Sequence, residues 1–79
     1  MDRNVLETAL LQAHEKHELD ELVRLYTIAG DEAEKSQDVD AACFFLTHAF
    51  VFALEAGAPQ ANPLNKRLTD YGRAIRLEF

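Results

Sequence analysis

A chain of 79 residues allows one small domain, and its 48% apolar and 28% charged residues are typical of a globular protein, which excludes intrinsic disorder. Three glycines and two prolines are too few for a turn-rich β-sandwich or β-barrel, and a single cysteine excludes a disulfide within the chain. The net charge of −6 repels phosphate backbones, so a nucleic-acid partner is not expected.

The start of the chain and its longest apolar run bear on location. No apolar segment follows a basic start at the N-terminus, so no signal peptide is predicted, and a chain without a disulfide framework fits a reducing cytosol. The longest apolar run, residues 41–54, would span about 21 Å as a helix, which is short of the ~30 Å hydrocarbon core of a bilayer. We therefore expect a cytoplasmic protein that has no membrane partner.

Helical periodicity dominates the first half of the chain. Asn4 and Glu7 resemble a capping box, and the apolar residues that follow recur on one face, which predicts a first helix over about 4–16. A second apolar stripe predicts a second helix over about 19–35. No glycine or proline separates the two segments, so one long bent helix remains an alternative.

The boundaries of the next two helices carry clearer signals. Asp38 suits the N-cap of a third helix over about 39–56, and Gly57 suits the left-handed residue that follows a helix end. Asn62 suits the N-cap of a fourth helix over about 63–76, whose first residue is a proline. The sequence thus predicts four helices and no strand.

The fold class predicted from these patterns is all-α, a small bundle of about four antiparallel helices in a single domain over residues 1–79. Residues 1–60 hold twelve acidic and four basic side chains, a local balance of −8. Residues 61–79 hold four basic and two acidic side chains, a local balance of +2. We therefore expect the basic last helix to dock on the acidic body of the domain.

The second and third helices carry small and aromatic residues at fixed spacings. The two segments read Tyr26-x-x-Ala29-Gly30-x-x-Ala33 and Ala42-x-x-x-Leu46-x-x-Ala49. This pair resembles a single tetratricopeptide repeat, whose helices carry aromatic-x-x-Leu-Gly-x-x-Tyr and Ala-x-x-x-Phe-x-x-Ala. The resemblance covers about half of the chain, and larger family residues are replaced by alanine at two positions. It implies a helical hairpin that serves as a binding scaffold, not an enzyme.

The glycine of this pattern has a physical role in the predicted hairpin. A glycine inside a helix costs about 1 kcal/mol relative to alanine, so Gly30 requires a compensating reason. Small residues at Gly30 and Ala42 would let the two helices approach closely, with Tyr26 and Leu46 filling the space beside them. We therefore expect a close helix crossing at Gly30.

Two groups of side chains are candidate chemical sites. His14 and His17 with Glu18 and Glu21 could ligate a metal, but no further ligand stands at a recognised spacing, so we expect a solvated helix end and no metal site. Another candidate pair is Cys43 and His48, five residues apart on one helix and about 140° around it, so they cannot act as nucleophile and base. Neither catalysis nor a cofactor is predicted.

The third helix is apolar nearly all round. A stripe of mainly small residues is expected to pack against the second and fourth helices, which would also cover its flanks, Leu54 included. The opposite side presents Phe44 and Val51. Either the first helix folds over these two residues, or they form an interface with another chain, most commonly a symmetric homodimer. We favour the interface.

The functional hypothesis that follows is a small cytoplasmic protein–protein interaction module. A self-associating helical homodimer is the alternative. A helical bundle that binds a metal or a small ligand is the third and weakest hypothesis.

Overall fold

The computed structural model describes residues 2–73, and this part of the chain contains four α-helices joined by short turns. They are α1 (Arg3–Lys16), α2 (Leu19–Lys35), α3 (Val39–Ala56) and α4 (Ala61–Asp70). No strand occurs among these residues, so the predicted all-α class is confirmed. The first three helices keep to the predicted bounds within one residue, whereas the fourth does not.

A left-handed residue separates α1 from α2. His17 has φ 54° and ψ 40°, and the amides of His17 and Glu18 donate to the carbonyls of His14 (3.3 Å) and Ala13 (3.0 Å). This hydrogen-bond pattern ends a helix at a left-handed residue, and histidine here takes the place that glycine usually occupies. The two helices are therefore separate, and the alternative of one long bent helix is wrong.

The start of α1 differs from the predicted one. The helix begins at Arg3 with Asp2 at the N-cap position, and the Asp2 side chain makes no capping hydrogen bond. Asn4 lies within the first turn, and Glu7 accepts a hydrogen bond from Arg3 (3.4 Å). The predicted capping box of Asn4 and Glu7 is wrong, because Asn4 is already helical and cannot cap.

Both ends of α3 follow the sequence signals. The Asp38 carboxylate accepts a hydrogen bond from the backbone amide of Ala41 (3.1 Å), which satisfies one of the free amides of the first turn. Gly57 has φ 64° and ψ 30°, the left-handed conformation that glycine adopts without a steric penalty. The length of α3 is therefore fixed by local chemistry at each end.

The start of α4 lies two residues before the predicted one. Gln60 occupies the N-cap position, and Asn62 and Pro63 lie within the first turn, so the predicted N-cap at Asn62 is wrong. The proline is tolerated at the third position because an amide there would have no partner within the helix. Ala61, which is only 4% exposed, extends the helix into the core.

The end of α4 is also earlier than predicted. The helix ends at Asp70, and Gly72 is left-handed with φ 73°. The amide of Arg73 donates to the carbonyl of Leu68 (2.9 Å), which closes the helix end. The predicted helix is therefore wrong at residues 71–73, since Gly72 stops it; residues 74–76 lie outside the described residues.

The hairpin of α2 and α3 is the centre of the fold. Within the described residues, α1 packs on α2 and α4 packs on α3, so the helices contact each other in chain order. One core cluster joins α2, α3 and α4, and a second joins α1 and α2; the second borders on Phe45 and Phe52 of α3. The molecule measures 31 × 29 × 13 Å, and this flat shape leaves much of each helix at the surface.

The basic segment docks on the acidic body as expected. The Arg67 guanidinium on α4 donates to the carboxylates of Asp31 (2.7 Å) and Glu34 on α2. After the end of α4, Arg73 donates to Asp40 on α3 (2.7 Å). These ion pairs lie at the surface, so each contributes little by itself, but they fix the position of α4 on the hairpin.

A tyrosine strengthens the same attachment. The Tyr71 hydroxyl donates a hydrogen bond to the Glu34 carboxylate. This hydrogen bond, together with the Arg67 guanidinium, lowers the pKa of Glu34 below its ordinary value. The same hydrogen bond raises the pKa of Tyr71, because ionisation would remove the donor.

Candidate protein-interaction surface

The side of α3 that faces α2 is fully buried. Its residues are Ala42, Leu46, Ala49 and Ala53, and each is 0% exposed. The other three lie within about 40° of Ala42 around the helix, which advances 100° per residue. We call these four residues the inner face of α3.

Gly30 of α2 lies directly against the inner face. A Cβ atom at this position would stand 2.7 Å from Cδ2 and 2.8 Å from Cγ of Leu46, and 3.6 Å from the carbonyl oxygen of Ala42. Contacts below 3.0 Å are essentially forbidden to a real Cβ, and Leu46 is enclosed on all sides. The α2–α3 crossing is therefore close enough at this point to require glycine.

The other positions of the tetratricopeptide-like pattern differ in burial. On α2, Ala29 is 5% exposed, whereas Tyr26 and Ala33 are half-buried. Gly30, Ala42 and Leu46 meet at one crossing, while Ala29 belongs to the core cluster shared with α1. The pattern thus spans two packing contacts.

The opposite side of α3 lies at the surface. Phe44 is 58%, Val51 44% and Leu54 41% exposed. With the exposed Thr47 these residues follow one another at i, i+3, i+7 and i+10, the spacing that forms the contact seam of a coiled coil. We call Phe44, Thr47, Val51 and Leu54 the outer face of α3.

No helix of the described chain covers the outer face. The first helix reaches α3 only at its flank, where the rings of His14 and Phe52 lie 5.7 Å apart. The alternative that α1 folds over Phe44 and Val51 is wrong, because both are exposed and the buried apolar residues of α1 pack against α2. The expectation that α2 and α4 cover Leu54 is also wrong: Leu54 is 41% exposed, and the buried residues of α4 belong to the core cluster that includes Ala49 and Ala53.

A cluster of rings supports one edge of the outer face. The Phe44 ring lies 4.5 Å from the ring of His48, and His48 stacks on Tyr26 at 5.0 Å. Tyr26 also stacks on Phe52 at 5.8 Å, and its hydroxyl is hydrogen-bonded to Nε2 of His14 (2.9 Å). The exposed Phe44 is therefore held in place by rings from α3, behind which α2 and α1 pack.

The burial of Tyr26 within this cluster raises the pKa of its hydroxyl. Tyr26 was predicted only as a packing residue beside Gly30. Its contacts with His14 and His48 could not be inferred from helical periodicity, because those rings belong to other helices.

The two ends of the outer face differ in charge. At the N-terminal end, Asp40 is paired with Arg73, and the Asp40 side chain is 88% exposed. At the C-terminal end, Glu55 is exposed and has no ion pair within residues 2–73. An ion pair thus stands at one end of the face, and a carboxylate without an ion pair in the described residues stands near the other.

The residues considered for metal binding and catalysis are not brought together. His14 is turned towards Tyr26, and His17 closes α1 in a left-handed conformation. No group of three potential metal ligands occurs in the described part of the chain. Cys43 is a buried free thiol, 5% exposed, within the core cluster of α4. A buried thiol of this kind behaves as a small apolar side chain.

The third helix is also long and apolar enough to cross a membrane, by length and composition alone. The helix has 18 residues with a mean hydropathy of 1.5, whereas the apolar run in the sequence covers only residues 41–54. Core helices of soluble proteins pass the same test, and five residues of α3 are buried against neighbouring helices. The absence of a membrane partner therefore stays a prediction.

Comparison with known proteins returns no relative. No protein-family model matches the chain, and neither a curated protein nor a solved structure is significantly similar to it. The resemblance to a tetratricopeptide repeat therefore stays a prediction.

Proposed function

We propose that this chain is a small protein–protein interaction module and that the outer face of α3 is its binding surface. The observation that carries the proposal is the exposure of Phe44, Val51 and Leu54 in one seam of a single helix. Large apolar side chains scattered singly over a surface need no explanation, but a contiguous seam favours a protein contact. Helices with this spacing bind other helices through the same side chains.

The hairpin beneath the face supports a binding role. The packing of Gly30 on Leu46 fixes α2 against α3, so the outer face is presented on a scaffold that keeps its shape. The ring contacts of Phe44 with Phe45 and His48 hold in position the most exposed of the three large apolar side chains of the face. Pre-ordered side chains lose less entropy on binding, which favours affinity. We further propose that the role is non-enzymatic, needs no cofactor and is exercised in the cytoplasm.

The test is capture of bound proteins by a tagged chain expressed in its native host. We compare the wild type with Val51→Glu, which places a charge in the middle of the outer face. The matched control is Leu11→Glu on α1, because Leu11 is a single exposed apolar residue, 66% exposed, outside the face. The melting temperature of each variant shows whether the fold is retained.

The proposal predicts that a specific protein is recovered with the wild type and with Leu11→Glu, and lost with Val51→Glu. A second copy of the chain, distinguished by its own tag, counts as such a protein. Equal recovery with all three chains would place the binding surface elsewhere, and no recovery with any of them would contradict an interaction module.

A further inference from the structure

We infer that the partner of the outer face is a second copy of this chain, with the two α3 helices antiparallel across a two-fold axis. This inference rests on the proposed function and specifies the partner of the same surface. Three features carry it: the seam of apolar side chains, its length along α3, and the charged groups at its two ends, an ion pair at one and a carboxylate at the other.

The apolar seam is complementary to itself when it is reversed. Phe44 and Leu54 stand ten residues apart, about 15 Å along the helix axis. A two-fold axis midway between them sets Phe44 of one copy level with Leu54 of the other. The same axis sets Thr47 level with Val51, so the bulkier residue of each pair meets the smaller one. Isologous contacts of this kind close at a dimer.

The charges favour the same arrangement. In an antiparallel pair the N-terminal end of one outer face lies beside the C-terminal end of the other. Glu55 of one copy then comes within about one helical turn of Asp40 of its partner. Two carboxylates would repel each other there, but Arg73 is already bound to Asp40 at 2.7 Å. A guanidinium carries five N–H donors, so it can bind a second carboxylate.

A parallel pair lacks this complementarity. It would place Glu55 beside Glu55 of the partner at one end, where no cation of the described chain is paired with it. It would also place the two Asp40–Arg73 pairs together at the other end. The antiparallel pair instead distributes one cation and two carboxylates to each end, and the helix dipoles then oppose one another favourably.

The first experiment measures the mass of the purified chain by light scattering and sedimentation from about 10 μM to about 1 mM, a range suited to a small interface. The expected result is a concentration-dependent rise from the 8.9 kDa of one chain to twice that mass. Val51→Glu should weaken the association at least about tenfold, because it buries a charge in the seam. The control Leu11→Glu should leave it unchanged.

The second experiment tests the orientation by charge reversal in two separate chains. Glu55→Arg alone brings two guanidinium groups together at each end of the dimer, and Arg73→Glu alone brings three carboxylates together. Arg73→Glu should weaken self-association about fivefold, whereas Glu55→Arg still holds opposite charges at each end and should change it less. An equimolar mixture of the two variants should restore the association that Arg73→Glu loses, because each end of the mixed dimer then holds one cation and two carboxylates.

The mixture separates contacts between chains from contacts within one chain. The Arg73→Glu chain keeps its altered Asp40 contact in the mixture, so only a contact between copies is repaired by mixing. A mixture in which the Arg73→Glu chain associates no better than it does alone would overturn the antiparallel arrangement.

A wild type that stays monomeric throughout the range would overturn the inference as a whole. The outer face would then be left for a different protein or for residues 74–79 of the same chain. The proposed function survives that outcome if the native host still yields a different protein that is captured by the wild type and lost with Val51→Glu. The proposed function fails only if the chain stays monomeric and the capture from the native host also recovers no protein through the outer face.

Discussion

The inner and outer faces of α3 share one helix and have opposite environments. The inner face holds three alanines and one leucine, all of them 0% exposed, whereas the outer face holds a phenylalanine that is 58% exposed. Burial free energy alone would favour the reverse, since a phenylalanine side chain gains about 1.5–3 kcal/mol when it is buried. The difference shows that the approach of neighbouring helices, and not the burial free energy of each side chain, decides which side of α3 is buried.

Small residues admit a neighbour where large ones would hold it away. The alanines of the inner face and Gly30 of α2 let the two backbones approach until a Cβ at Gly30 would collide with Leu46. On the outer face no helix of the described chain is available, because α1 packs on α2 and α4 packs on the adjacent side of α3. The following predictions test this contrast.

The largest effect is expected from Leu46→Ala on the inner face. Removal of a fully enclosed leucine side chain leaves a cavity and costs about 2–5 kcal/mol, which approaches the whole free energy of unfolding of a small domain. Urea denaturation followed by circular dichroism measures the loss. Val51→Ala is the matched outer-face variant and should cost much less. Equal losses at the two positions would contradict the contrast between the faces.

A slightly smaller loss is expected from Gly30→Leu. The added side chain overpacks the crossing and should lower the free energy of unfolding by about 1–3 kcal/mol, even though leucine is the better helix former. Combined with Leu46→Ala, the new leucine has space to occupy. The double variant should therefore lose less free energy of unfolding than the two single losses added together, by about 0.5–3 kcal/mol. Additive losses would mean that Gly30 and Leu46 do not compete for the same space.

The attachment of α4 should depend on pH. The Tyr71 hydroxyl and then Arg67 lower the pKa of Glu34, so the folded state favours the carboxylate. This stability is present above the unfolded pKa of Glu34 and is lost as pH falls through the folded pKa. Tyr71→Phe should therefore melt below the wild type near neutral pH, and the difference should shrink towards about pH 3.

The alkaline side of the same pair supplies a second measurement. Hydrogen bonding to Glu34 raises the pKa of Tyr71, so its contribution is present below the unfolded pKa and is lost as pH rises through the folded pKa. The gap in melting temperature between wild type and Tyr71→Phe should close again above about pH 10. A gap that does not vary with pH would show that Tyr71 acts through packing alone.

The smallest effect is expected from Val51→Glu on the stability of the monomer. Measured at a concentration below association, its free energy of unfolding should lie within about 0.5 kcal/mol of the wild type, because Val51 is 44% exposed and has no covering helix. A loss of several kcal/mol would mean that the outer face is covered within the chain itself. Such a loss would contradict the conclusion that only the inner face is buried within one chain.

Only part of the candidate surface could be predicted from the sequence. Phe44 and Val51 stand opposite the small stripe on a helical wheel, and both proved to be exposed. Leu54 was assigned to a covered flank, although its i+10 spacing from Phe44 placed it in the same seam. The pairing of Arg73 with Asp40 was not predicted in detail, because the charge balance of a segment does not say which residues meet.

Sequence alone determined the elements whose signals are local. Periodicity defined the helical segments, the Asp38 carboxylate and Gly57 fixed the ends of α3, and the excess of basic residues after residue 60 foretold the docking of α4. Each of these depends on interactions within a few residues or on net charge, so no knowledge of the packed structure was needed.

The tertiary structure decided the ends of α4 and the environment of each side of α3. Ala61 joined α4 because it packs into the core, and Gly72 ended the helix although apolar residues recur beyond it. Whether α1 would cover Phe44 depended on where α1 finds its own apolar contacts, and α2 supplied them. A helical wheel shows which side chains share a face, but only the positions of the neighbouring helices determine which face is left open.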